Sequence, residues 1–264
     1  SKGEKSMNIL MTIDVGNTNI SLGLMQGNEV IGSFRLTTKT PRTSDEFGLC
    51  IKELLDMTKL QDDDIEAVII SSVVPKIMYS LTSAIVKFLH KDPIIVGPGI
   101  KTGISIRTDN PREVGADRIV DISMAYHTYH KSCIIVDFGT ATTFDYISGE
   151  GVFKYTVIAP GLGIVANALT SQTAKLPEIE IHKPESILNG NTITGMQAGV
   201  IYGYIGSVEY IIKQMKKELK LKDCLVIATG GLGKVIAKET KEIDLFDPDV
   251  AYKGMRILYD LNKK

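Results

Sequence analysis

Two stretches about half the chain apart carry the same order of residue types: "TIDVGNTNISLGL" from Thr12 to Leu24 and "IVDFGTATTFDYI" from Ile135 to Ile147. In each, an apolar run ends in an aspartate and a glycine follows two residues later. Small hydroxyl or amide residues come next, and the apolar run then resumes. That order predicts a β-hairpin with an acidic residue at the end of its first strand. Because the hairpin recurs, it restricts the architecture more than any single motif in the chain.

The residues after each hairpin alternate between strand and helix. A further strand is expected around Glu29 to Leu36, followed by the polar loop "TTKTPRTSDEF". Thr43 and Glu46 form a capping-box pattern, and Phe47, Cys50, Ile51, Leu54 and Leu55 follow at helical spacing, so a helix is expected from about Ser44. "AVIISS" reads as a short buried strand, Pro75 suits the first turn of the next helix, and "PIIVG" reads as another strand. A helix is expected from near Gly115 towards His130. After the second hairpin, "GEGVFKYTVIAP" extends the meander and a long helix spans roughly Thr192 to Leu219. "CLVIATGG" is a buried strand ending in glycines, and the tail is helical.

Two strand-led halves opening on the same device predict an α/β protein built from a duplicated domain. Residues 7–114 form the first domain and 115–264 the second. Residues 1–6, "SKGEKS", read as an expression remnant and are set outside the fold.

Thirty Lys and Arg against thirty-one Asp and Glu give a formal net charge of -1, which argues against a protein built mainly to bind nucleic acid. Cys50, Cys133 and Cys224 are far apart, odd in number and without CxxC spacing, which disfavours a disulfide framework or a zinc site and fits a reducing cytoplasm. No apolar run approaches the roughly 18 residues of a membrane helix.

A turn rich in Gly, Thr and Asn exposes backbone N–H groups and hydroxyl donors, a concavity suited to phosphate oxygens. A carboxylate beside polyphosphate is repelled unless a cation lies between them. Asp14 and Asp137 therefore make sense as direct or water-mediated partners of a metal–nucleotide complex, held between two facing hairpins. The bland alternative is that D-x-G-[NT] is ordinary hairpin chemistry, since Asp, Asn and Gly tolerate turn conformations. One hairpin alone favours the bland reading; recurrence at matching places favours the phosphate reading.

Other motifs carry less. "TGGLGKV" fails as a Walker A loop, with Ala228 in place of its first glycine and Val235 in place of Ser/Thr. "PGLGIVA" has dinucleotide-like spacing but follows a hairpin, so close backbone packing near a ligand, or a plain turn, is the better reading. "ATGG" at Ala228 to Gly231 is either a surface for a nucleoside or a loop needing positive φ. In "NPREVGADR", an acidic Asp117 at a helix start is favoured by capping and by the helix dipole alone. The functional reading makes Asp117 a base for a substrate hydroxyl and Arg118 a donor to a carboxylate or phosphate oxygen. Asn17, Thr18, Thr140 and Thr142 are the candidate donors to phosphate oxygens. The four histidines form no metal-ligand spacing, and "KQMKKELKLK" reads as a solvated helix face.

Taken in order, "DVGNTN", "SSVVP", "NPREVGADR", "DFGTATTFD", "AKLP", "NTITGMQAG" and "ATGG" resemble the type III pantothenate kinases, from about Met7 to the C-terminus. The resemblance implies two RNase H-like domains of the acetate-and-sugar-kinase, Hsp70 and actin superfamily with a cleft between them. It also implies a homodimer, and transfer of the ATP γ-phosphoryl group to pantothenate at the start of coenzyme A biosynthesis. Mg2+ is implied with the nucleotide, together with a monovalent cation, K+ or NH4+. By the same resemblance Asp14, Val15, Gly16, Asn17, Thr18, Asn19, Ile20 and Ser21 match the first phosphate-binding motif, Asp137 matches the carboxylate that holds the monovalent cation, and Thr140 matches an ATP contact. Gly115, Ala116, Asp117 and Arg118 match the pantothenate-binding stretch, with Asp117 as proton acceptor, and Thr192 matches another pantothenate contact. Relatives commonly place a Tyr seven residues before the first glycine of GADR, where this chain has Thr108. One branch of the family is described as an accessory factor for transcription; the intact Asp14, Asp117 and Asp137 speak against that role here.

Overall fold

The computed structural model describes residues 7–263, so the expected remnant at residues 1–6 lies outside the described residues. The chain forms two compact units. The first takes the chain up to Ile104 together with Asn110–Thr128 and the segment from Asp249 onward; the second takes Ser105–Asp109 and Tyr129–Pro248.

In the first unit, β1 (Ile9–Val15), β2 (Asn19–Gln26) and β3 (Glu29–Thr37) form an antiparallel meander. β4 (Ile65–Ser72) then pairs parallel to β1, and β5 (Ile94–Ile95) parallel to β4, giving the order β3-β2-β1-β4-β5. Successive strand residues point to opposite faces. Met11, Ile13, Val68 and Ile70 therefore meet Phe47, Ile51 and Leu55 of α1 (Ser44–Met57) and Leu81 and Ile85 of α2 (Pro75–Leu89). Leu10, Met25 and Ile69 point the other way. They pack against Val120 of α3 (Ala116–Tyr129) and Tyr252, Met255 and Leu258 of α7 (Val250–Asn262). With both faces covered, the strands read as continuous apolar runs. Each fully buried large side chain contributes about 1.5–3 kcal/mol.

Local signals act as expected. Thr43 Oγ1 accepts from the Glu46 N–H at 3.2 Å, while Glu46 Oε2 accepts from the Thr43 N–H at 2.7 Å, so two orphan donors at the start of α1 are satisfied reciprocally. Pro75 opens α2, and His90 ends it in the left-handed conformation.

The second unit repeats the scheme. β7 (Cys133–Phe138), β8 (Ala141–Ile147) and β9 (Val152–Pro160) form the meander, and β10 (Leu225–Thr229) and β11 (Leu245–Phe246) add in parallel. The order β9-β8-β7-β10-β11 matches that of the first sheet strand for strand, and β6 (Ser105–Ile106) adds beyond β9. α4 (Leu162–Ser171), α5 (Thr192–Glu218) and α6 (Gly233–Ala237) cover this sheet, with Val200, Ile201, Tyr204, Val208 and Ile212 of α5 buried against Ile134, Val136, Phe144 and Val226.

Two features differ from the sequence reading. "PGLGIVA" opens a helix not expected there, α4, with Gly161 as its N-cap, while the close backbone packing expected of its glycines is present, a Cβ on Gly161 standing 2.1 Å from the Thr140 carbonyl oxygen. α3 and α7, placed in the second domain by a boundary after residue 114, group with the first unit. The apolar stripe of each needs a partner, and the second face of the first sheet supplies it through Leu10, Met25 and Ile69.

Candidate functional site

In the first unit, pairing of β1 runs to Val15 opposite Ile20 on one side and opposite Ser72 on the other, which puts residues 16–19 at the carboxyl end of β1. The turn is closed by the Gly16 N–H donating to the Asn19 carbonyl at 2.9 Å. Thr38, just past β3, fixes it further: its hydroxyl donates to the Gly16 carbonyl at 2.8 Å and its N–H to the Thr18 carbonyl at 2.9 Å. Asn17, Thr18 and Asn19 remain exposed at the tip. No residue from Asp14 to Ser21 has a positive φ. Tolerance of left-handed backbone therefore does not account for the residue types in this turn.

Asp14 sits opposite Ser21 of β2 and opposite Ser71 of β4. Burial, and then the neighbouring charge of Asp117, push its carboxyl up to about 7, while the Ser71 hydroxyl pulls it back. Asp117 is the second residue of α3, and its Oδ1 accepts from the Arg118 N–H at 2.8 Å. Gly115 makes room for that carboxylate: a Cβ there would lie 2.5 Å from Asp117 Oδ1. The first unit thus brings Asp14 into electrostatic contact with Asp117, with Gly115, Ala116 and Arg118 alongside in sequence. Ser71, which the sequence reading treated as part of a buried strand, belongs to the same cluster; only its register opposite Asp14 reveals it.

In the second unit, Asp137 lies opposite Thr143 of β8 and Thr229 of β10. Gly139 and Thr140 are exposed in the turn. Two glycines hold this loop from behind. A Cβ on Gly161 would stand 2.1 Å from the Thr140 carbonyl oxygen and 2.6 Å from that of Gly139. Gly230, at φ +93°, would put a Cβ 2.6 Å from the Phe138 carbonyl oxygen and 2.7 Å from Asp137 Oδ1. The "ATGG" motif therefore does contain a residue needing positive φ, and that residue packs on the acidic loop. Gly161→Ala is expected to lower stability by about 3 kcal/mol, at the upper end of overpacking costs because the obstacle is backbone, as measured by urea unfolding.

Thr142, expected as a phosphate donor, is buried, and its hydroxyl bonds to the Tyr204 hydroxyl of α5, which itself donates to the Pro160 carbonyl at 3.3 Å. It braces the loop and is not presented to a ligand. Burial raises the Tyr204 pKa. Thr192 is the first residue of α5, next to Asn191, whose side chain caps the helix by accepting from the Thr194 N–H at 3.0 Å.

Among the described residues no three His, Cys, Asp or Glu side chains gather into a metal cage. Asp14 and Asp117 are instead two neighbouring carboxyls whose mutual repulsion a cation would relieve. Such a pair fits Mg2+, which keeps waters, takes one or two protein carboxylates and draws its other ligands from phosphate.

Two sheets of one strand order, each with an acidic residue near the end of its first strand and a hydroxyl-rich turn beyond it, define the class. These are paired RNase H-like domains, a duplicated α/β fold. Within that class, the sequence model of the family described as type III pantothenate kinase matches residues 10–214, and the chain belongs to that family. The type III pantothenate kinase of Agathobacter rectalis is 50% identical over 251 residues, covering 95% of this chain and 96% of the relative. That of Bifidobacterium longum is 49% identical over 256 residues, covering 97% of this chain and 100% of the relative. Among solved structures, a conserved putative Baf family transcriptional activator from Campylobacter jejuni aligns with a TM-score of 0.59 at 18% identity, covering 96% of this chain and 98% of that one, a likeness of fold.

Proposed function

We propose that the chain transfers the γ-phosphoryl group of ATP to the hydroxyl of pantothenate, giving 4'-phosphopantothenate in the first step of coenzyme A biosynthesis. The observation that carries this reading beyond family membership is the Asp14–Asp117 pair. One carboxylate ends the strand that leads into an exposed donor-rich turn, and the other stands at a helix start beside Arg118.

In this reading Asp117 orients the substrate alcohol. Phosphoryl transfer has a loose transition state in which the nucleophile needs little early activation, so Asp117 takes the proton late. Arg118 pairs with a carboxylate or phosphate oxygen, Gly115 and Ala116 leave room at the helix start, and Thr192 adds a substrate contact. Val15 to Ser21 and Thr140 supply N–H and hydroxyl donors to phosphate oxygens. Mg2+, when bound with the nucleotide, neutralises charge on the phosphate oxygens.

We assign Asp137 to the monovalent cation, K+ or NH4+. Asp137→Ala is expected to weaken nucleotide binding and flatten the response of rate to potassium; an unchanged potassium response removes the assignment. The reading extends to a cytoplasmic homodimer that binds neither nucleic acid nor membrane. No helix among the described residues is long and apolar enough to cross a membrane. Incubating the pure protein with ATP, Mg2+, K+ and pantothenate, beside a panel of sugars and acetate, and reading product mass tests the acceptor. A phosphorylated sugar or acetate with no phosphopantothenate overturns it.

A further inference from the structure

Ser71, the next-to-last residue of β4, is fully buried, and its hydroxyl makes no hydrogen bond of good geometry. Leaving a buried hydroxyl without a good hydrogen bond is destabilising, so a strand interior that needed only to pack would be more stable with an apolar residue there. Its neighbours show what the sheet does with such groups. Thr12 Oγ1 donates to the Gly23 carbonyl at 3.2 Å, and Ser72 Oγ accepts from the Val74 N–H at 3.1 Å. Ser123 and Thr108 also carry buried hydroxyls without partners, but only Ser71 stands directly opposite Asp14 in the β1–β4 register. It is close enough to Asp14 to act on its charge, and Asp14 in turn feels Asp117. A buried hydroxyl that steadies the Asp14 carboxylate without a hydrogen bond of good geometry, beside the donor-rich turn at residues 16–19, is a group with bonding capacity left for a ligand oxygen.

We infer that Ser71 is a ligand-contacting residue of this half of the site, its hydroxyl bonding an oxygen of the magnesium–nucleotide complex, either a phosphate oxygen or a water held by the cation. This rests on the reading of Asp14 to Ser21 as the nucleotide loop. It adds a contact from β4, an element to which no role in binding was assigned. Both sources are oxygens of one complex, so the loss of the hydroxyl falls on nucleotide affinity and not on the acceptor.

The test uses the full chain, comparing wild type with Ser71→Ala and Ser71→Cys, the second keeping the side-chain volume with a weaker donor. Calorimetric titration with Mg-ATP is expected to show Ser71→Ala weakened about 10-fold or more, the scale of a hydrogen bond to a charged group. Ser71→Cys should fall between, with KM for pantothenate unchanged. Melting temperature separates function from packing: removal of a buried hydroxyl that makes no hydrogen bond of good geometry should leave it unchanged or higher. Repeating the titration with ATP and no Mg2+ identifies the oxygen. A defect that persists assigns a phosphate, and one seen only with Mg2+ assigns the cation's water. Wild-type affinity for Mg-ATP in Ser71→Ala overturns the inference. If Ser71→Ala melts lower, Ser71→Cys decides, and its binding as tightly as wild type overturns the inference equally. A wild-type protein that binds Mg-ATP but does not phosphorylate pantothenate would sink the acceptor assignment and leave Ser71 standing.

Discussion

Asp117→Asn is expected to bind Mg-ATP as tightly as the parent and to turn over about 10²- to 10⁴-fold more slowly, the range of one positioned general base. The substitution keeps the shape of the side chain and an oxygen able to accept the Arg118 N–H, so the start of α3 should hold. It removes the charge that would orient the alcohol and receive its proton. Steady-state kinetics with pantothenate, alongside nucleotide titration, separate the two effects. Near-normal turnover would remove Asp117 from the role, and lost nucleotide affinity would move it to the phosphate side.

Asp14→Asn is expected to cost activity and add stability at the same time. The folded carboxyl titrates at about 7 against an ordinary 3.8, chiefly through burial and then through Asp117, with Ser71 acting the other way. Asp14 also bears on Tyr252 of α7, whose pKa is raised mainly by its own burial and which in turn feels Arg35 and Asp249. Between these two values the folded chain holds a proton that the unfolded chain has released, so stability falls as pH rises from about 4 to about 7 and stays low above. Replacing the acid removes that loss. The melting temperature of nucleotide-free Asp14→Asn should exceed that of the parent at pH 8, and the gap should close as pH falls towards 4. Turnover should drop by about 10²-fold or more, since the charge opposing the cation is gone. A variant that melts below the parent at pH 8 would contradict the burial argument directly.

Much of the fold was legible because local chemistry and tertiary need agree. Thr43 with Glu46 announces α1, Pro75 announces α2, and the apolar runs at Ile9 and Cys133 become central strands covered on both faces. The helical stretches at Ala116 and Val250 were also readable, but not which sheet they cover. An amphipathic stripe records that a partner exists and says nothing about its identity. α4 was missed because Pro160 and Gly161 read locally as a stop, whereas Gly161 is small to clear the Thr140 carbonyl. The acidic residues stood out because a carboxylate ending an apolar run is conspicuous. Ser71 did not, since a serine closing a buried strand is an ordinary sight until register sets it against Asp14. Thr142 was read as a donor for the opposite reason, its bond to Tyr204 arising from a helix far along the chain.

The return of α7 to the first sheet carries a consequence for biogenesis. Leu10, Met25 and Ile69 leave the ribosome before the second repeat, yet Met255 and Leu258, which help to roof them, emerge only after it. Throughout translation of the intervening repeat, that side of the nascent first sheet is therefore covered by α3 alone, and the strip that α7 fills stays greasy and open. The polypeptide behaves like a buckle whose tongue is made last, and chaperone demand is concentrated on the interval before it closes.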